Sequence, residues 1–170
     1  LKVEFLDCKE KNVKLFYSML KDTFKKYGQL PPHSEEFYML LTKRLLKSNN
    51  LLFLSIKNGA DVVAMGIFMY NKCEINFMSG TSTRDGNKFG ANNLMHWEVI
   101  KFAADNNISK YNFGGLGISS IDKFKRSFGG YEVGYSRYIW MKQYINLLFK
   151  MLIWVKSNLI MPLTMLLKGR

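Results

Sequence analysis

The chain has 170 residues, 48% of them apolar, 15% aromatic and 22% charged, with a formal net charge of +12. That length holds one globular domain with a core or two very small ones, and 13 Phe, 9 Tyr and 10 Met exclude a disordered chain, because burial on that scale offsets the entropy of folding. Two widely separated cysteines, Cys8 and Cys73, and two histidines, His33 and His96, make neither a metal-ligand cluster nor a disulfide framework, so the thiols read as core groups in a reducing compartment.

Val13, Phe16, Tyr17, Leu20, Phe24 and Tyr27 recur at helical spacing, with Gly28 as a C-cap, which predicts a helix over about 9–27. Pro31 and Pro32 then break the chain. Ser34 caps a second predicted helix with Glu35 and Glu36 in its first turn, an inner face of Phe37, Tyr38, Leu41 and Leu45, and an end at Ser48, Asn49 and Asn50. From there the period becomes that of strands: 51–57 and 62–70 flank the Asn58-Gly59 hairpin signal, and 73–79 follows the Asn71-Lys72 turn, an antiparallel meander. A polar stretch, 80–90, leads into a helix over about 92–106 whose narrow polar stripe of Glu98, Lys101 and Asp105 predicts burial against the sheet, Trp97 included. Residues 110–113 read as a strand, Gly114-Gly115-Leu116-Gly117 as a sharp loop, 119–128 as a short helix and 131–140 as a final strand.

Residues 142–168 place Gln143, Asn146, Lys150 and Ser157 on one helical face and apolar residues around the rest; the apolar runs are too short to cross a bilayer, so the expected helix lies on one, centred on 147–160 and kinked or ended at Pro162. Charge is uneven: residues 123–170 hold nine Lys/Arg against the single acid Glu132, which predicts an anionic partner for the C-terminal third. The chain opens on Leu1 and has no signal-peptide pattern, which predicts a piece of a longer cytoplasmic protein, with a domain over 1–140 and an amphipathic basic tail over 141–170.

A meander, a central helix, a strand, a short helix and a last strand resemble the α/β (α+β) GNAT-like acyltransferase fold, a mixed, mostly antiparallel sheet with flanking helices, here followed by a C-terminal amphipathic helix. In that fold the central helix points its N-terminus at the pyrophosphate of acyl-CoA. The loop register here is Asn87-Lys88-Phe89-Gly90-Ala91-Asn92, in which only Gly90 matches the usual Q/R-x-x-G-x-G/A, although Arg84 and Lys88 supply cations for some other phosphate. Three further stretches, Asn93-Leu94-Met95-His96-Trp97-Glu98, Tyr111-Asn112-Phe113-Gly114-Gly115 and Phe124-Lys125-Arg126-Ser127-Phe128-Gly129-Gly130, resemble the N-N-L-L-x-W-E, Y-D-F-G-G and F-K-x-x-F-G-G signatures of the FemAB-like (Fem-type) transferases, in order and at similar spacing.

The Fem resemblance implies the second of two tandem GNAT-like domains, with a preceding GNAT-like domain as partner, and aminoacyl or acyl transfer to an amine. It implies aminoacyl-tRNA as donor, or acyl-CoA in the GNAT alternative, no bound cofactor, and a nucleotide- or lipid-linked peptidoglycan precursor as acceptor. It implies work at the inner face of a membrane, which the tail over 142–168 is expected to contact as an anionic surface. Phe124 and Lys125 would be the pair at the reacting centre. Arg84, Lys88, Asn93, Glu98, Asn112, Gly114, Gly115 and Arg126 complete the candidate substrate-binding set, with no metal site; Asn112 departs from the usual Asp. Apart from any family, a fixed lysine beside a developing oxyanion lowers a transfer barrier by about 3–4 kcal/mol, whereas Lys123, Lys125 and Arg126 read without the motif as a solvated basic face. Glu98 either orients a substrate amine or pairs with Lys101, and His96 is either a general base or a hydrogen-bonded core residue. The third reading is a catalytically silent basic domain that docks on RNA or lipid.

Overall fold

The computed structural model describes residues 1–46, 48–136, 140 and 143–155. A five-stranded sheet runs in the order β1 (Lys2–Phe5), β2 (Leu51–Asn58), β3 (Asp61–Tyr70), β4 (Glu74–Ser82) and β5 (Lys110–Asn112). All neighbours are antiparallel except β4 and β5, which run parallel through Glu74–Lys110, Ile75–Tyr111 and Asn76–Asn112. The helices are α1 (Glu10–Lys25), α2 (Glu35–Leu46), α3 (Arg84–Lys88), α4 (Ala91–Asp105), α5 (Ser119–Arg126) and α6 (Gln143–Val155). The chain divides after Phe128 into two units, with α6 in the second.

Both faces of the sheet are covered, which explains why β2 is an almost unbroken apolar run rather than an alternating one. On one face Leu51, Phe53, Met65 and Ile67 pack with Val13, Phe16 and Leu20 of α1 and Tyr38 of α2. On the other, Leu52, Leu54, Ile56, Ala64 and Phe68 pack with Ala91, Met95, Val99 and Ala103 of α4. The expected caps and turns are present. Ser34 Oγ accepts from the Phe37 N–H (3.2 Å), Gly28 follows α1 at φ 64°, Gly59 turns the β2–β3 hairpin at φ 60°, and Asn71 Oδ1 accepts from the N–H groups of Cys73 and Glu74.

Several expectations are corrected. The first residues form an edge strand, β1, whose four residues are too few to show a period in the sequence. The stretch 80–90 is not one polar loop: β4 runs on to Ser82, and α3 follows, capped by Thr83 Oγ1, which accepts from the Gly86 N–H (3.0 Å). Val63 is the extra residue of a β3 bulge, and its carbonyl accepts from the Thr83 N–H (2.9 Å), so the bulge is what ties α3 to the sheet. Trp97 is not core. It sits opposite the stripe of Ala91, Met95, Val99 and Ala103 and is 53% exposed, because an α-helix covered on one side buries only that stripe. Of the strand expected over 131–140, residues 131–136 are irregular and 137–139 lie outside the described residues. The tail helix is described over Gln143–Val155; the remainder of 142–168, Pro162 included, lies outside them.

The element that matters most for the site is the attachment of α5. His96, buried on α4, shares a 2.5 Å hydrogen bond between Nδ1 and the Tyr111 hydroxyl of β5. Around its ring stand Phe68 of β3, Phe77 of β4, Phe113 after β5, Phe124 of α5 and Phe128 just beyond it, with centroids 4.8–5.9 Å away. Burial is the main cause that lowers the His96 pKa to about 4, with the Lys125 charge adding to it, and burial pushes the Tyr111 hydroxyl far up. At neutral pH both are uncharged. His96 is therefore the hydrogen-bonded core residue of the two readings, not a base poised near neutrality.

Two outcomes follow from these contacts. A Cβ at Gly86 would overlap the Val63 carbonyl, a backbone atom that cannot turn aside, so Gly86→Ala is expected to lower stability by about 1–3 kcal/mol in denaturant unfolding. Since the folded His96 pKa lies below its unfolded value of 6.5, its contribution is fully present above pH 6.5 and is lost as pH falls from there through about 4. The loss should approach about 3 kcal/mol, and comparing unfolding of wild type and His96→Phe across that range measures it; parallel curves would remove His96 from the cause.

Candidate active site

β5 stops at Asn112 while β4 continues to Ser82, so residues 77–82 of β4 have no strand on that side among the described residues. This stretch of β4 also carries a bulge: Ile67 faces Ser79 and Phe68 faces Phe77, leaving Met78 as the extra residue. Beside the gap runs the loop Gly114 to Gly117; a Cβ on Gly114 would lie 3.9 Å from the Phe77 carbonyl, and around Gly115 and Gly117 there is open space. Gly114 sits at φ 76° and Gly117 at φ 149°, which favours glycine at both.

Three side chains pin this loop. Asn112 Oδ1 accepts from the Gly114 N–H (2.8 Å) while its Nδ2 donates to Glu74 Oε1 (2.9 Å). Lys125 Nζ donates to the Gly115 carbonyl (2.5 Å). The Gly117 N–H donates to both carboxylate oxygens of Asp122, at 3.1 Å each. Phe124 faces His96, and the neighbouring Lys125 turns to the loop, half-buried. Burial lowers the Lys125 pKa below the ordinary lysine value, and the charge of Asp122 opposes that shift. An ammonium has three donors and the loop takes one, leaving the others for a ligand in the open space beside Gly115.

The structure thus gathers Phe124, Lys125, Asn112, Gly114 and Gly115 in one place. It puts the other expected site residues elsewhere. Arg84, exposed on α3, lines a separate cavity of about 200 Å³ with Asp22 and Thr23 of α1, Lys26 just after it, and Ser82 and Thr83 where β4 ends and α3 begins. Lys88 pairs with Asp85 (3.0 Å). Asn93 is exposed in the first turn of α4, Glu98 is bound to Lys101 (2.7 Å), the structural alternative weighed for it, and Arg126 is exposed on α5. In the loop before α4, Asn87 Oδ1 takes hydrogen bonds from Ser82 Oγ (2.5 Å) and Asn92 Nδ2 (3.0 Å), so the two asparagines at the ends of that register hold each other. No group of three or more His, Cys, Asp or Glu among the described residues is placed to hold a metal. Sequence reading missed Asp122 and Glu74, and met Tyr111 only as the first residue of a signature stretch, with no role of its own. A D-x-x-K spacing at the start of a short helix was the only local signal for the first; Glu74 lies 38 positions from its partner.

Comparison with known proteins bears on the fold and the family. The chain is 37% identical over 54 residues to aminoacyltransferase FemB of Staphylococcus epidermidis, a stretch that spans 32% of this chain and 13% of that protein. An aminoglycoside 6′-N-acetyltransferase from Acinetobacter haemolyticus superposes with a TM-score of 0.64 at 14% identity, covering 84% of this chain and 99% of the other. An acetyltransferase from Clostridium acetobutylicum solved with acetyl-CoA superposes at 0.60 and 12% identity, over 83% and 96%. These structures share the fold, and the family model for the acetyltransferase (GNAT) domain matches residues 2–126, so the chain belongs to the GNAT acetyltransferase-domain family.

Proposed function

We propose that this domain transfers an aminoacyl group from aminoacyl-tRNA to an amine of a peptidoglycan-type cell-envelope precursor. The observation that carries it is Lys125: a half-buried ammonium held on the Gly115 carbonyl, where β4 and β5 separate, with donors to spare. In the reaction the acceptor amine attacks the ester carbon, the carbonyl oxygen gains charge, the bond to the ribose oxygen breaks, and the proton released by the amine ends on the ribose hydroxyl. Lys125 would donate to the oxygen while it is charged, an interaction stronger in the transition state than in the ground state. Phe124 would set its direction through His96 rather than touch the acyl group. The stretch shared with FemB supports aminoacyl transfer over other acyl transfers.

The alternative donor is acyl-CoA. It is favoured by the N-terminus of α4, which has Gly90 at φ 70° and no side-chain cap, a place where phosphate oxygens meet backbone N–H groups. Against it stands the mutual hydrogen bonding of Asn87 and Asn92 in the loop that would have to receive the pyrophosphate.

A lipid-linked acceptor would put the protein at the inner face of a membrane, with a preceding domain completing the acceptor site. Ile145, Leu147, Leu148, Met151, Leu152 and Trp154 of α6 are exposed over one half of the helix, and residues 133–170 hold six Lys/Arg and no acid. No helix among the described residues is long and apolar enough to cross a membrane. An apolar half with basic flanks fits an anionic surface.

Lys125→Ala is expected to lower kcat at least about 100-fold with an unchanged melting curve, and Lys125→Arg to restore little, since a planar guanidinium replaces a compact ammonium poorly at a tight site. Assays with aminoacyl-tRNA and with acetyl-CoA in parallel identify the donor, and turnover of Lys125→Ala within about threefold of wild type returns the residue to a solvated face. For the tail, co-sedimentation with phosphatidylglycerol vesicles should fall several-fold on deletion of 142–170; unchanged binding, or none in the intact protein, rejects the membrane role.

A further inference from the structure

Asp122 has no part in the acyl-transfer step, yet it is the only acidic residue on α5, it is just 9% exposed, and it sits in the first turn of that helix, where the dipole favours an anion. A buried carboxylate is costly unless it is hydrogen-bonded, and both oxygens of Asp122 go to one backbone group, the Gly117 N–H. One turn later the same helix carries Lys125, whose ammonium holds the Gly115 carbonyl two residues earlier in the same loop. Acid and base therefore clamp opposite polarities of one short backbone segment, an N–H and a C=O, from successive turns of one helix. Neither bond is needed to close the helix: α5 already has its own ladder, with the Asp122 N–H on the Ile118 carbonyl (2.8 Å).

We propose that Asp122 is a positioning residue of the transfer site, which fixes the glycine loop through Gly117 and presents the negative charge that keeps Lys125 in place as a cation. The inference rests on the transfer reading above and names what sets its lysine. Of the other titratable groups packed here, His96 of α4 meets the adjacent Phe124 and feels the Lys125 charge, and Tyr111 of β5 is hydrogen-bonded to His96. Both are neutral around pH 7, since His96 titrates at about 4 and burial drives Tyr111 upward. Lys123 and Arg126 on α5 are exposed and carry the same sign as Lys125. Asp122 is thus the one anion of this group, and removing its charge leaves desolvation unopposed.

The test is acylation of the intact protein with acetic anhydride over a pH series, with modification at Lys125 followed by peptide mass spectrometry, beside kcat and KM for transfer. Asp122→Asn keeps an oxygen for the Gly117 N–H and loses the charge. Its Lys125 labelling midpoint is expected to move down by roughly half a pH unit or more, and kcat to fall at least about tenfold with little change in KM. Asp122→Glu restores the charge and displaces the oxygens by one methylene; it should return the midpoint to the wild-type value while kcat stays low. An unmoved midpoint in Asp122→Asn, or a kcat within about twofold of wild type in either variant, overturns the proposal. Should Asp122→Asn fail to fold, the kcat of Asp122→Glu decides alone. Labelling needs no turnover, so a wild-type protein that transfers nothing while the midpoint still shifts rejects the transfer reading and sustains the coupling of Asp122 to Lys125.

Discussion

The site depends on a neutral imidazole in a ring of phenyl groups. α5 is two turns long and has no side-chain N-cap, so it has little stability of its own. What fixes it is the seating of Phe124 and Phe128 on His96, with Phe113 packed at a tilt against Phe128 and edge-on to Tyr111 of β5. Each such aromatic pair contributes about 0.5–1.5 kcal/mol beyond burial, and the Tyr111 hydroxyl gives the buried Nδ1 of His96 a hydrogen-bond partner. Phe124, on the last turn of α5, and Phe128, just beyond the helix, both seat on His96, and Lys125, one position after Phe124, is turned about 100° away from that side. Its aim toward Gly115 is a consequence of how its neighbours pack. This also explains why three sequence stretches far apart in the chain belong together: His96, Tyr111 with Phe113, and Phe124 with Phe128 come one from each.

The sheet supplies the second constraint. A parallel pair needs a crossover, and α4 is that crossover between β4 and β5. Since β4 and β5 run the same way, their C-terminal ends open at the same edge, and there β4 continues past the end of its partner. The bulge at Met78 falls in this unpaired stretch and breaks the ladder where a ligand would approach. Open α/β sheets gather their ligands outside the carboxyl ends of such strands, and the glycine loop, α3 and the Arg84 cavity all follow directly on those ends.

The covered sheet was legible because its signals are local: Asn58-Gly59 for a hairpin, Ser34 for a cap, an apolar run for a strand buried on both faces. Less was legible where the signal is short or non-local. β1 is a four-residue edge strand with one half-turn of alternation, and α3 is five residues with a glycine at its centre, so neither has a period to read. In α4 the excess of apolar letters hid the phase of the helix; the buried stripe is carried by Ala91, Met95, Val99 and Ala103, and the largest side chain, Trp97, faces away. Within the site, Lys125 and the glycines stood out by motif and by conformational need. Asp122 did not, since an acid at a helix start reads as a surface residue until the N–H it holds is located.

The asparagine at 112 illustrates how such a non-local pairing constrains residue choice. The position has two tasks, to accept from the Gly114 N–H and to meet the carboxylate of Glu74. An amide does both, one oxygen accepting and one nitrogen donating. An aspartate could still take the Gly114 bond, but its second oxygen would face Glu74 with no proton between them, two like charges at hydrogen-bond distance. The asparagine is therefore tied to Glu74 on the neighbouring strand, and an amide at 112 with an acid at 74 joins β4 to the loop without adding a charge beside Lys125. The local field at that lysine is then left to Asp122.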